Sequence, residues 1–272
     1  MMKLEQVDKD AWVFQDDVVP DELGDEFETA LRAWQEGKIA ITEKTLLDVV
    51  ARCPDYIDAL HHLALLYQQT GRDTAAFAYW QAAVGVGLRA FPDAFSWSHS
   101  QLEWGFLQNR PFLRAYHALG LWFREHGQYA DAIDVFSRLL TVSPNDNLGT
   151  RYILPECWFG AGEPAKVIAH CQIHGEDSGP DIQYSHGLAL VTCGKVESAK
   201  QVLEAAVSRL PLVAKELLKK SHRRPAGYRD GYISWGGADQ AYDYWQRMGK
   251  YWQKSEKAMH LLKVVSHSAA RG

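Results

Sequence analysis

One stretch of this chain constrains its fold more than any other. It runs Tyr116-x-x-Leu119-Gly120-x-x-Phe123, then Gly127, Ala132-x-x-x-Phe136 and Pro144. Spacings of three and four put the first four residues on one face of a helix. Gly127 can take the left-handed geometry that ends that helix. Ala132 and Phe136 share a face of a second helix, and Pro144 stops it. Small residues at Gly120 and Ala132 let the two helices approach closely. Tyr116, Phe123 and Phe136 are large enough to fill the space between such hairpins.

The pattern recurs along the chain. Upstream, Leu60-x-x-Leu63-Ala64-x-x-Tyr67 precedes Gly71, and Ala76-x-x-x-Trp80 follows, which makes a unit of residues 57–90. Ala30, Gly37 and Pro54 fall one period earlier than Ala64, Gly71 and Leu88 and mark a weaker unit, 23–56. The strong unit is 113–146. A degenerate one at 148–171 carries Trp158 and Gly162, with Pro155 inside its first helix, where a kink or a late start is expected. Gly187, Gly194, Ala199-x-x-x-Leu203, Ala206 and Pro211 fit a fifth unit at 180–211. Motif and period resemble the tetratricopeptide repeat (TPR). The resemblance implies an all-α, right-handed TPR-type α-solenoid of about five helical hairpins, with a concave face that binds.

Three regions fall outside the period. Residues 1–22 are an acidic N-terminal segment. Residues 91–112, FPDAFSWSHSQLEWGFLQNRPF, carry two Trp, four Phe and two Leu, too apolar for a solvent loop. This insert packs in the core of an irregular hairpin or covers the groove. Residues 212–272 read as a C-terminal helical cap: a short helix at 212–221, a loop at 222–237 and one or two helices over 238–266, since a solenoid needs a polar-faced end.

A more specific resemblance lies in residues 102–152. Leu102-Glu103-Trp104-Gly105, Asn109-Arg110-Pro111-Phe112-Leu113-Arg114-Ala115, His117-x-Leu119 and Ser143-Pro144-Asn145-Asp146-Asn147 followed by Arg151-Tyr152 resemble the suppressor-of-tumorigenicity-7-like family and related prokaryotic TPR proteins of unknown function. Ser143 departs from that pattern, which has Asn there. The resemblance implies a TPR fold and no activity. Membrane-embedded members exist in that family, but no run in this chain reaches the eighteen or so apolar residues of a membrane helix.

Charge is uneven. The 272 residues carry a net charge of −5. Residues 1–28 hold ten Asp/Glu and two Lys, net −8, while 214–272 hold twelve Lys/Arg and five Asp/Glu, net +7. Solvated faces explain both, or one end meets an oppositely charged surface. An acidic chain of pI about 6.1 disfavours nucleic acid as the main partner. An RNA-binding reading rests only on the basic segment 219–232, Lys219-Lys220-Ser221-His222-Arg223-Arg224 with Tyr228 and Tyr232. Four dispersed cysteines and the absence of a signal-like N-terminus suit a cytoplasmic location.

In a TPR hairpin the first helix lines the concave face, at repeat positions two, five, nine and twelve. These are Asp58, His61, Leu65 and Gln68, then Arg114, His117, Leu121 and Arg124. Downstream they are Gly149, Tyr152, Glu156 and Phe159 with Arg151 adjacent, then Asp181, Tyr184, Leu188 and Val191. The expected partner-binding groove is therefore His61, Gln68, Arg114, His117, Arg124, Arg151, Tyr152 and Tyr184, with Trp97 or Trp104 as an aromatic wall. Arg offers forked donors to carboxylates, so an acidic peptide or partner helix fits, though the same arginines could instead pair with nearby Asp or Glu. His61 and Leu65 stand where a chaperone-tail site needs Lys and Asn, which disfavours that ligand.

Catalysis has no motif to rest on: HExxH, Walker A, GxSxG and GxGxxG are all missing from the sequence. His170-Cys171-x-x-His174 could place two imidazoles on one helix face, but Cys171 falls on the core position of Phe136 and no four-ligand set follows. No cofactor or metal is expected. Asn109 is expected to cap the helix that Pro111 begins, Arg110 to contact Glu103, and Asn145-Asp146-Asn147 to cap the next helix. The sequence thus points to a protein-interaction scaffold or adaptor without enzymatic activity. Self-association through Trp245 and Trp252 of the terminal helices is the alternative that leaves the groove idle.

Overall fold

The computed structural model describes residues 2–15, 19–229 and 231–269. Asp16, Asp17, Asp230 and Arg271, counted in the charge balance above, lie outside them. The chain forms two compact units, residues 1–151 and 152–272.

In the first unit, β1 (Leu4–Gln6) and β2 (Trp12–Phe14) form a small antiparallel hairpin. Three helical hairpins follow: α1 (Asp21–Gln35) with α2 (Ile39–Arg52), α3 (Ile57–Gln69) with α4 (Asp73–Arg89), and α5 (Arg110–Glu125) with α6 (Tyr129–Val142). Helix α7 (Thr150–Gly160) begins at the end of this unit. In the second unit α7 pairs with α8 (Pro164–Ile173), and α9 (Pro180–Thr192) with α10 (Val196–Arg209). Then come α11 (Pro211–Leu217), α12 (Ala238–Gln253) and α13 (Glu256–Ala269). The architecture is the expected all-α TPR-type one of five hairpins. Pro155 lies inside α7, which starts at Thr150 and continues through it rather than beginning late.

The same turn closes the first helix of all five hairpins. Gly37, Gly71, Gly127, Gly162 and Gly194 have φ between 71° and 77°, a region that costs a residue with a Cβ about 1–2 kcal/mol. The amide after each glycine reaches back to the last helical turn, as Gln128 N does to Phe123 O at 2.9 Å and Lys195 N to Leu190 O at 2.8 Å. These bonds satisfy carbonyls that a helix end otherwise leaves orphaned. Close approach explains the Leu-Gly step. A Cβ on Gly120 would stand 2.7 Å from Phe136 Cε1, and one on Gly187 would stand 2.4 Å from Leu203 Cδ2. Ala132 and Phe136 are fully buried, so the motif letters are core letters. Asp146 caps α7 as expected: its carboxylate accepts from Thr150 N at 2.7 Å and Arg151 N at 3.0 Å.

The aromatic insert packs inward. Phe91, Phe95 and Trp97 lie 4.2–5.6 Å apart by ring centroid, Phe91 meets Phe112 at 5.5 Å, and Trp97 meets Tyr116 at 5.8 Å. The N-terminal hairpin completes this cluster, with Trp12 against Phe95 at 5.8 Å and Phe14 against Phe112 at 5.2 Å. From its charge alone, the N-terminal segment reads as a solvated tail or as an end that meets an oppositely charged surface. Its Trp12-Val13-Phe14 run is instead buried. Buried Asn109 fastens it. Asn109 Oδ1 accepts from Phe14 N at 3.1 Å, and Asn109 Nδ2 donates to Trp12 O at 2.9 Å. Asn109 therefore does not cap α5 with its side chain, contrary to expectation. Arg110 departs too: it donates to Trp104 O at 2.9 Å and lies 5.1 Å from that ring, rather than pairing with Glu103.

The C-terminal helices do more than close an end. α13 packs against α10 and α11, as a cap should. α12 lies against α9 and α11. Trp252 is fully buried and donates to Tyr244 Oη at 3.1 Å, and half-buried Trp245 stacks on His222 at 3.8 Å. Trp252 was expected to be exposed and is instead fully buried, while Trp245 is half-buried on His222.

Candidate functional site

The concave face of the first unit is built from the first helices of its hairpins. α1 contributes Leu31 and Trp34, repeat positions nine and twelve of the 23–56 unit, and α3 contributes His62 and Leu65. With Gln35 these residues line an open apolar pocket of about 380 Å³. Trp34 Nε1 donates to Gln69 Oε1 at 2.8 Å, which fixes the indole as one wall. His62 meets Asp58 at 3.3 Å, and its ring packs edge-on to Trp34 at 6.3 Å.

Asp58 is the electrostatic centre of this face. Arg114 Nη2 on α5 donates to both its oxygens, at 2.9 and 3.0 Å. Burial opposes ionisation of Asp58, but the hydrogen bond from His62 and the positive charges of His62 and Arg114 outweigh it and hold the carboxyl below its ordinary range. The pairing reading of Arg114 is thus the one observed. Half-buried Arg124 lies 3.3 Å from Glu125, and Gln68 is exposed.

Of the two expected groove histidines, His61 is a core residue and His117 is half-buried. His61 is buried and accepts a hydrogen bond from Trp80 Nε1 at 3.2 Å. Burial, reinforced by neighbouring positive charge, pushes its pKa down to about 3. His117 packs against Phe136 at 5.5 Å, and burial lowers its pKa to about 4. Both are neutral near pH 7 and turn their rings to the second helix of their own hairpin. Arg151 lies 3.3 Å from the buried Asp146. Trp97 packs in the insert, with Arg138 of α6 over its ring at 5.2 Å. Trp104 is held by Arg110. Both tryptophans are half-buried and make these packing contacts.

In the second unit the corresponding positions are covered by α12. Arg247 Nη1 donates to Asp181 Oδ1 at 2.6 Å, and its Nη2 to Asp243 Oδ2 at 2.8 Å. Tyr251 stacks on Phe159 at 5.4 Å, and Lys250 lies 3.9 Å from Glu156. Tyr184 is fully buried beside Tyr244 and Trp252 and donates to Leu210 O at 2.8 Å. It is removed from the list of accessible groove residues for that reason. Tyr152 donates to Asp177 Oδ2 at 2.6 Å and so braces the 174–180 loop.

Sequence reading missed Leu31, Trp34, Gln35 and His62. Leu31 and Trp34 were recoverable, since they occupy positions nine and twelve of the weakest repeat. No chemistry competes with this face. Burial pushes the Cys171 thiol up to about 12, and His170 and His174 pack ring to ring at 4.6 Å. Among the described residues no group of three or more His, Cys, Asp or Glu is placed to hold a metal, and no helix is long and apolar enough to cross a membrane.

The sequence profile of a family described as Transcriptional repressor TCF25 matches residues 40–271. It is a different family from the suppressor-of-tumorigenicity-7-like one that residues 102–152 resemble. No curated protein matches the chain. Among solved structures, a tetratricopeptide repeat protein from Parabacteroides merdae ATCC 43184 is 11% identical over 93% of this chain and 88% of that one, with a TM-score of 0.54. MamA is 17% identical over 75% of this chain and 99% of its own, with a TM-score of 0.53. MamA from residue 41 onward, from Desulfovibrio magneticus RS-1, is 14% identical over 70% and 95%, with a TM-score of 0.51. At such identities the likeness shows the fold, which is that of TPR proteins.

Proposed function

This chain belongs to the Transcriptional repressor TCF25 family, and we propose that it serves there as a protein-interaction scaffold whose first unit binds a peptide or partner helix on its concave face. The observation that carries this reading is the open pocket of Leu31, Trp34, Gln35, His62 and Leu65. It combines a fixed indole wall with an aliphatic floor, the composition of an anchor site for one or two apolar side chains. Gln68, Arg114, Leu121 and Arg124 extend the face along the same helices.

The partner's character follows from the charges. Arg114 is neutralised by Asp58, so an acidic ligand has less to gain there than the bare sequence suggests. The site favours an apolar-anchored segment.

Panning a displayed random-peptide library against the whole protein tests the proposal, with a folded Leu65→Glu variant as counter-target. Enriched peptides should share an aromatic or aliphatic anchor and lose binding to the variant. Peptides that bind both proteins equally would place the interaction elsewhere.

A further inference from the structure

The loop between α11 and α12 is held at both ends and displays its middle. At one end His222 stacks on Trp245 at 3.8 Å and its Nδ1 lies 2.9 Å from Glu216 Oε1. Tyr228 packs edge-on against Tyr242 at 5.6 Å, with Arg224 over its ring at 4.7 Å. At the other end Ser234 N donates to Asp239 Oδ2 at 2.7 Å and Gly236 N to Gln240 Oε1 at 2.9 Å. Between these anchors Tyr232 is 74% exposed, Trp235 65% and Ile233 44%. Neither Tyr232 nor Trp235 stacks on another ring, and Lys220, Arg223 and Arg229 have no carboxylate within ion-pair distance, among the described residues.

We propose that the described residues of this loop, 219–229 and 231–235, bind single-stranded nucleic acid: Lys220, Arg223 and Arg229 take backbone phosphates and Tyr232 and Trp235 stack on unpaired bases. The sign of the charge is right locally even though the whole chain is acidic, since residues 214–272 carry a net +7. Cations strung along a loop suit a repeating polyanion, and two presented rings suit a ligand in which every unit has a π-face. Two carboxylates near the loop among the described residues are already engaged. Glu216 is engaged by Lys219 and His222, and Asp239 by Ser234 and Gln240 backbone amides. An anionic membrane is the less favoured ligand, because among the described residues of the loop Ile233 is the one large exposed aliphatic side chain and a bilayer surface needs a wider apolar face.

This proposal stands apart from the groove. Fluorescence anisotropy of the full chain with labelled fifteen-nucleotide oligouridine RNA and oligothymidine DNA, across a salt series, tests it. Binding should weaken by about tenfold for each ring removed in Tyr232→Ala and Trp235→Ala. The triple Lys220→Ala, Arg223→Ala, Arg229→Ala variant should lower the slope of log K against log salt by about 2. Preference between RNA and DNA identifies which strand the site takes. No binding by the wild type at low salt would overturn the proposal, as would equal binding of duplex DNA, or affinity for phosphatidylserine vesicles without affinity for either oligonucleotide. Binding that survives loss of both rings would do the same, and circular dichroism of the variants excludes unfolding because all five side chains are at the surface.

Discussion

Arg247 and Asp181, 66 residues apart in sequence, meet at 2.6 Å and fasten α12 against α9. Asp181 occupies repeat position two, where a TPR hairpin offers its side chain to a ligand. Here the ligand is the chain's own helix. In the second unit α12 packs over this expected groove position.

That pair makes a prediction about stability. Burial pushes the Asp181 carboxyl above its ordinary range, and Arg247 opposes the shift. Arg247→Met leaves a buried acid without its cation and should cost about 3–5 kcal/mol. The double variant Asp181→Leu, Arg247→Met removes both charges and should recover most of that loss. Urea denaturation of the three proteins checks this; equal losses in single and double variants would mean that the ion pair is not what docks α12.

A second prediction concerns acid. An ordinary imidazole titrates near 6.5, whereas burial holds His61 down to about 3 and His117 to about 4. The unfolded chain thus binds two protons that the folded chain refuses, and lowering the pH favours unfolding. Between pH 6 and pH 5 the stability of the first unit should fall by about 2–3 kcal/mol, at about 1.4 kcal/mol per group and pH unit. The loss begins below about 6.5 and is complete only near the folded values. In a His61→Gln, His117→Gln variant the denaturation midpoint should change much less over that range.

The third prediction separates the N-terminal hairpin from the repeats. Asn109→Leu removes both hydrogen bonds to β2 and leaves Phe14 N and Trp12 O unsatisfied, at about 1–3 kcal/mol for each buried group. Amide hydrogen exchange should accelerate in residues 4–14 and in the 91–106 insert that packs on them. Protection in α3 and α4 should change little. Uniform loss of protection would show that the hairpin is integral to the repeats.

Much of the repeat architecture was legible because each TPR letter carries a local physical requirement. Gly127 must take positive φ, Gly120 must lack a Cβ beside Phe136, and Pro144 must follow a helix end. The hairpin was not legible. Its strands are three residues each, shorter than any pattern of alternation can reveal, and Trp12-Val13-Phe14 sits among acidic neighbours. Beside β1, the distant partners Gln101 and Asn109 give that run its form. The groove was half legible. Leu65 was read at position nine and lines the pocket, Leu31 and Trp34 went unread because their repeat is the weakest, and His61 at position five is drawn into the core by Trp80. Tyr184 fails for another reason, since α12 follows it by more than fifty residues and nothing near Tyr184 announces the helix that covers it.

The central claim is that partners meet the first unit on its concave face. The most direct measurement places a photo-crosslinking amino acid at Leu65 in that face, and separately at the exposed Gln81 of α4, in the native host. Irradiation should give discrete partner adducts from position 65 and none of the same adducts from position 81, with residue 65 adducts abolished by Trp34→Ala. Identical adducts from both positions, or none from position 65, would contradict the account.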